Sequence, residues 1–346
     1  MDGTTEKRWL TDGEKDGEHI AIVSYPRSGN SLMRGLLESV TGIYTGCDTQ
    51  PDRSLSLELQ NYGMKGEGVV DESVWFVKSH YPERSGYKPV AVHKAILVVR
   101  NPWDAINSYF NMTLTNSHNK SVHDSQYDRF AERWDKMIQN EIQVWIRFHQ
   151  YWTTRVDIPI MVVRYEDLMV NRRESLHRVC KFILGKEPKD SLWDTEWGER
   201  ITSVIAADDA GPYKPRSGKI SASFRHYSPI QFQDVLTTAR PLLRQFGYDT
   251  ETQNFPETIP LPNRQVKPGK SDAKPLILSA DGLELRGRND SFGRLSTWFR
   301  KTLLDPVVAS DGTELNMDEV LAARDRKRQR GEMDVLLAKK AEHKEL

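Results

Sequence analysis

The chain has 346 residues, enough for one large domain or two modest ones. Its 49 basic and 49 acidic residues cancel, which argues against a general nucleic-acid binder, since such proteins carry a basic excess. Apolar residues make up 38% and mean hydropathy is -0.63, which leaves room for a real core and for some loop or tail.

Residues 1–18 are charged and lack an apolar stretch, so they read as a disordered lead rather than a signal peptide. Ile20, Ala21, Ile22 and Val23 then form a short apolar run, a strand candidate. Next comes SYPRSGNSLMR, residues 24–34. Leu32, Met33, Leu36, Leu37 and Val40 follow helical spacing, and Gly42 closes that helix. The unit is therefore strand, tight turn, helix. The turn is not the common nucleotide loop G-x-x-x-x-G-K-[ST], because its one glycine, Gly29, follows its basic residue, Arg27. It can still cradle an anion. Backbone N–H groups of residues 28–31 would point from the helix N-terminus, Ser28 and Ser31 add hydroxyl donors, Arg27 adds fixed charge, and Gly29 permits close approach. An ordinary strand–helix turn is the alternative.

Residues 44–73 are polar. A second strand is expected at 74–77, followed by Lys78, Ser79 and His80. A third, buried strand is expected at 95–99, followed by Arg100, Asn101, Pro102 and a helix from about Trp103. Pro102 suits a helix start, and Asp104 can accept from N–H groups of the first turn. Ser108, four residues on, projects from about the same face, so Arg100 and Ser108 could grip a second phosphate. A structural salt bridge is the other reading of Arg100. Residues 129–152 carry Trp134, Ile138, Ile142, Trp145 and Trp152 at helical spacing, a core stripe. A fourth strand is expected at 160–163, followed by Arg164, Tyr165, Glu166, Asp167 and Leu168.

Continuous apolar strands alternating with helices predict an α/β fold with a central parallel sheet flanked by helices, a P-loop-like three-layer sandwich. Ligands bind such sheets beyond the carboxyl ends of the strands, where Arg27, Lys78, His80, Arg100 and Tyr165 cluster. The catalytic domain is expected over 19–250. Residues 251–275 hold five prolines and read as a linker, and 276–346 read as a partly helical extension with a charged helix over 317–345. Cys47 and Cys180 have no metal-ligand spacing and read as reduced thiols. No run of 18 apolar residues suggests a membrane span, so the cytoplasm is expected, with the Golgi lumen as the alternative if a leader has been trimmed.

Four motifs in this order resemble the sulfotransferase family that uses 3′-phosphoadenosine 5′-phosphosulfate (PAPS). Residues 25–33 resemble its 5′-phosphosulfate loop, Y-P-K-S-G-[TN]-[TS]-x-[LM]. Arg100 to Ser108 resemble its 3′-phosphate motif, R-[ND]-P-x-D-x-x-x-S. Lys78, Ser79 and His80 resemble its K-[TS]-H segment, and Arg164 to Leu168 its V-x-Y-E-D-L segment. The resemblance spans roughly residues 19–249 and is strongest to carbohydrate-type members, including those fused to cysteine-rich WSC modules. It departs at Arg27, where lysine is commoner, and at Leu32, where soluble members have a tryptophan that stacks on adenine.

The resemblance implies sulfuryl transfer from PAPS to an acceptor hydroxyl or amine, leaving adenosine 3′,5′-bisphosphate (PAP), with no metal. It assigns His80 as general base, with Glu83 as the fallback carboxylate, and Lys78 and Arg27 to charge stabilisation. Ser28, Gly29, Asn30, Ser31, Arg100, Ser108, Tyr165, Arg216 and Gly218 would bind the nucleotide, with Phe224 or Tyr227 available to adenine. The acceptor is expected to be a small molecule or carbohydrate bordered by 44–73 and 111–128. Nucleic acid is not expected, and a homodimer is left open. The competing readings are an ATP-dependent small-molecule kinase and a non-catalytic nucleotide-binding scaffold.

Overall fold

Ile20, Ala21, Ile22 and Val23 offer apolar side chains to both faces of a pleated strand, which suits the centre of a sheet covered on both sides. They open β1 (Ile20–Ser24), the middle strand of a five-stranded parallel sheet in a computed structural model of the chain. The structure describes residues 6–15, 18–83, 88–187, 189–207, 220–248, 274–278 and 307–315. In chain order the elements that follow are α1 (Asn30–Thr41), β2 (Gly46–Cys47), α2 (Ser54–Asn61), β3 (Phe76–Ser79), β4 (Val90–Val92) and β5 (Lys94–Val99). Next come α3 (Pro102–Thr115), α4 (Ser125–Arg129), α5 (Ala131–Gln150), β6 (Ile160–Arg164), α6 (Tyr165–Val170), α7 (Arg172–Ile183), α8 (Glu196–Ala206) and α9 (Pro229–Gln245). Three short strands close the described chain: β7 (Leu276–Leu278), β8 (Val307–Val308) and β9 (Glu314–Leu315).

The sheet order is β2-β3-β1-β5-β6. Alternation along each strand separates two cores. Ala21, Val23, Val77 and Leu97 face Trp103 and Phe110 of α3, Trp134 and Trp145 of α5, and Leu243 of α9. Ile20, Ile22, Phe76, Ile96 and Val98 face Leu32 and Leu36 of α1, Val179 of α7 and Ile201 of α8. The chain is thus an α/β three-layer sandwich. The aromatic stripe of α5 is core, with Trp145 and Trp152 fully buried.

Three boundaries differ from the sequence reading. The second expected strand lies two residues later, at Phe76–Ser79, because its register is set by β1: Ile22 pairs with Lys78 and Val23 with Ser79. Polar Lys78 and Ser79 therefore end a strand that apolar content alone stops early. Residues 6–15 of the expected disordered lead bond to the body, with the Arg8 N–H donating to Gly42 O at 2.9 Å and the Leu10 N–H to Ser73 O at 2.9 Å. In the extension, β7 pairs antiparallel with β4, and Ala309 bridges Val122. The linker and the charged helix fall almost wholly outside the described residues. Both cysteines are buried and unpaired. Among the described residues no helix is long and apolar enough to cross a membrane.

One face of α1 is polar yet buried, because it anchors the edge of the sheet. The Arg34 guanidinium pairs with Glu67, donates to Thr45 Oγ1 at 2.7 Å and to Thr45 O at 3.0 Å, with both charged side chains essentially inaccessible. Removing one partner leaves a buried charge uncompensated, the costly case for such pairs. Glu67→Ala is expected to destabilise the fold by about 3–5 kcal/mol in urea unfolding. The double variant Arg34→Met/Glu67→Leu recovers most of that loss; a double variant no better than the single would contradict this account.

Candidate functional site

β1 delivers Ser24 to the carboxyl edge of the sheet, and residues 25–29 turn the chain into α1. Two of these residues are left-handed, Arg27 at φ 66° and Gly29 at φ 97°. A side chain at Gly29 would be strained by that φ, and its Cβ would lie 2.5 Å from Tyr165 Cδ2, so the position needs glycine on both counts. Arg27 pays the backbone strain that a side chain brings there. The Ser28 N–H donates to Tyr25 O at 3.3 Å, and the first bond of α1 runs from Met33 N–H to Gly29 O at 3.0 Å. The N–H groups of Asn30, Ser31 and Leu32 precede it and point out of the helix N-terminus. Ser28 Oγ is buried with no hydrogen-bond partner. Asn30 binds back into the fold, its amide donating to Ile22 O at 2.9 Å and to Ser24 Oγ at 3.2 Å. Ser31 is half-buried at the second position of α1.

Arg100, Tyr165, Ser108 and Arg27 come together over this loop. The Arg100 guanidinium lies 4.3 Å from the centre of the Tyr165 ring and donates to Arg27 O at 3.1 Å, while its Nε is buried without a partner. Tyr165 therefore packs under Gly29 and Arg100, and the structure gives its ring a supporting place. Arg27 Nε donates to Ser108 Oγ at 3.2 Å. Its Nη1 and Nη2 turn to His118, donating to Nδ1 at 2.8 Å and to the carbonyl at 2.9 Å. Arg27 thus leans toward α3 rather than over the helix N-terminus.

The capping of α3 differs from expectation. Asn101 is the cap, its Oδ1 accepting from Asp104 N–H at 2.8 Å. The Asp104 carboxylate instead accepts from Ser221 N–H at 2.8 Å and Ser223 N–H at 3.2 Å, which ties the segment before α9 to the site. Glu166 holds the cap from below, accepting from Asn101 Nδ2 at 2.8 Å and from Tyr248 Oη at 2.6 Å. Arg164 pairs with Asp167, so that motif is mostly scaffold. Tyr227 is core, its hydroxyl donating to Trp103 O at 2.8 Å, and half-buried Phe224 packs edge-on against Trp103. Arg216 and Gly218 lie outside the described residues.

Lys78 is the penultimate residue of β3, buried, with the carboxyls of Asp48 and Glu67 as its opposing charges. His80 is half-buried just beyond the strand, and its Nδ1 lies 2.7 Å from Ser24 O. A carbonyl only accepts, so Nδ1 carries the proton and the lone pair of the neutral ring sits on Nε2. Glu83 is fully buried and receives a long 3.5 Å bond from Tyr109 Oη. Among the described residues no cluster of three His, Cys, Asp or Glu side chains suits a metal.

Sequence reasoning missed Asp48 and His118. Asp48 follows β2, is 1% exposed, and neither carboxyl oxygen has a hydrogen bond of ordinary geometry, although the Ser79 hydroxyl lies alongside. Burial raises its pKa from 3.8 to about 7 against the opposing pull of Ser79 and Lys78. β2 has two residues, too short for a periodic signal. His118 lies in a turn with no motif around it.

The family model described as sulfotransferase domain matches residues 17–197. A WSCD family member of Aedes aegypti is 32% identical over 167 residues, 48% of this chain and 50% of that one. Sulfotransferase 4A1 of Mus musculus is 26% identical over 190 residues, 50% of this chain and 63% of that one. The chain spans about half the length of the WSCD relative and less than two thirds of the other. Among solved structures, mouse sulfotransferase SULT7A1 complexed with PAP is similar at 16% identity and a TM-score of 0.43, over 68% of this chain and 90% of that one.

The raised Asp48 pKa has a signed consequence. A carboxyl harder to ionise in the folded state contributes stability that is complete below pH 3.8 and lost as pH rises toward about 7. Asp48→Asn is expected to lack that component, so the stability difference between variant and wild type grows in the variant's favour across this window. Chemical unfolding at several pH values reads it, and parallel profiles would contradict the buried, raised carboxyl.

Proposed function

This chain belongs to the sulfotransferase domain family, and from that premise we propose that it moves a sulfuryl group from PAPS to an acceptor hydroxyl or amine. The observation that carries the reading is His80, held by Ser24 O at 2.7 Å at the mouth of the loop, with its basic nitrogen defined by that bond. Bound PAPS supplies the sulfuryl group, and PAP remains after transfer.

The residues suit such an anion. The unpartnered buried polar groups Ser28 Oγ and Arg100 Nε are donors, and a buried donor without an acceptor is costly until something supplies one. With the N–H groups of Asn30, Ser31 and Leu32, Ser28 would hold the 5′-phosphosulfate. Gly29 lets the backbone approach. Arg100 and Ser108 would hold the 3′-phosphate, with Tyr165 fixing the plane of Arg100 and Arg27 adding charge beside Ser108. Arg216 and Gly218 remain candidates for the same nucleotide.

His80 Nε2 takes the acceptor's proton, and a histidine suits that task near neutral pH. The Lys78 ammonium supplies fixed positive charge where negative charge grows on the leaving oxygen, an effect strongest where water is excluded. Glu83 is the second choice of base, and its full burial favours His80. The polar segments 44–73 and 111–128 suit a small hydroxylated or sugar-like acceptor.

His80→Ala is expected to lower turnover by about 10²–10⁴-fold while PAP binding stays nearly unchanged by calorimetry. Surviving turnover would move the base elsewhere, Glu83 first. Arg100→Ala is expected to weaken PAP by roughly 10–100-fold, the range for a hydrogen bond to a charged group, and to weaken AMP far less. Equal weakening of both nucleotides would remove Arg100 from the 3′-phosphate.

A further inference from the structure

We infer that His118 is a positioning residue for the sulfuryl donor: it sets the direction of the Arg27 guanidinium and links the nucleotide loop to α2. This rests on the sulfuryl-transfer reading above and extends it to a residue outside the four motifs.

The inference begins with chain direction. α3 ends at Thr115, and Asn116 caps it in the left-handed region at φ 50°. The chain turns back, and the next two residues fasten to α2. Ser117 Oγ donates to Glu58 Oε1 at 2.9 Å, and the His118 N–H donates to Glu58 Oε2 at 2.8 Å. His118 is 8% exposed.

Both ring nitrogens are assigned by their partners. Nε2 lies 3.1 Å from Leu55 O, which can only accept. Nδ1 lies 2.8 Å from Arg27 Nη1, which can only donate. One neutral tautomer satisfies both, with the proton on Nε2 and the lone pair on Nδ1. The backbone completes the grip, because His118 O accepts from Arg27 Nη2 at 2.9 Å. Residue 118 therefore holds both terminal nitrogens of the guanidinium, and Ser108 holds Nε.

This grip explains how a non-glycine residue stays in the left-handed backbone at position 27. Contacts outside the loop over-determine the conformation. It also makes Arg27 depend on α2. The charged groups facing His118 in these contacts are Arg27 on the loop side and Glu58 on the α2 side. A shift of α2 moves His118 and, through it, the cation beside the donor site.

Two substitutions separate positioning from bulk packing. Asn at 118 offers an amide oxygen near the place of Nδ1 and keeps the backbone carbonyl; Ala keeps only the carbonyl. His118→Ala is expected to weaken PAP about tenfold, the low end for a hydrogen bond to a charged group, with the loss appearing in donor KM more than in kcat. His118→Asn is expected to restore most of the affinity. The nucleotide-free protein gives an independent readout in arginine-labelled NMR samples. Exchange of the Arg27 guanidinium protons is expected to be slow in wild type and the Asn variant and fast in the Ala variant, with circular dichroism confirming that all three fold.

If wild type binds PAP and both variants match it, the positioning role is overturned and the sulfuryl-transfer reading stands. If wild type fails to bind PAP, that reading falls, and the exchange measurement still decides whether His118 holds Arg27. Equal exchange in all three proteins overturns the proposal.

Discussion

The parallel register of β3, β1 and β5 is the constraint on which the site depends. Val23 pairs with Ser79 and Ser24 with Val98, so three strands end at one level. Three chemically different segments leave those ends: the loop from β1, Lys78 and His80 from β3, and Arg100 from β5. A one-residue slip in any pair would turn Lys78 or Arg100 to the opposite face. The two apolar cores oppose such a slip, because each strand is packed on both sides.

Around that edge, buried polar groups are mostly tied to one another. Glu166 joins the cap of α3 to Tyr248 beyond α9, and Asp104 draws in residues 221 and 223. Tyr165 fills the space that Gly29 leaves and carries Arg100 on its ring. The exceptions are informative. Ser28 Oγ and Arg100 Nε lack partners, as do Asn30 Oδ1 and Trp103 Nε1 nearby, and Ser28 Oγ and Arg100 Nε can both donate to the anion proposed here. The Asp48 carboxyl is another exception, of the opposite sign, and sits by Lys78.

Much of this was legible in the sequence because strong local signals carried it. The apolar runs at Ile20, Ala95 and Ile160 gave strands within a residue of their observed limits, since burial on both faces leaves no polar interruption. The helical spacing from Leu32 gave α1. What was not legible depended on tertiary partners. Asp104 was expected to cap its own helix, but Asn101 takes that place, and the sequence holds no sign that Ser221 will arrive there. The fate of Arg27 was hidden for the same reason. His118 is 91 residues away and reaches it from a turn that Glu58 and Leu55 of α2 hold in place. Residues 6–15 look unstructured by composition, yet backbone bonds to Gly42 and Ser73 need no apolar pattern.

The central claim is that the loop and Arg100 together hold a nucleotide bearing phosphates at both the 5′ and 3′ positions. Calorimetric titration of the wild-type chain with PAP, AMP and magnesium–ATP tests it most directly. The account predicts that PAP binds tightly and that removing the 3′-phosphate costs most of the affinity. A preference for magnesium–ATP, or no binding of any of the three, would contradict it.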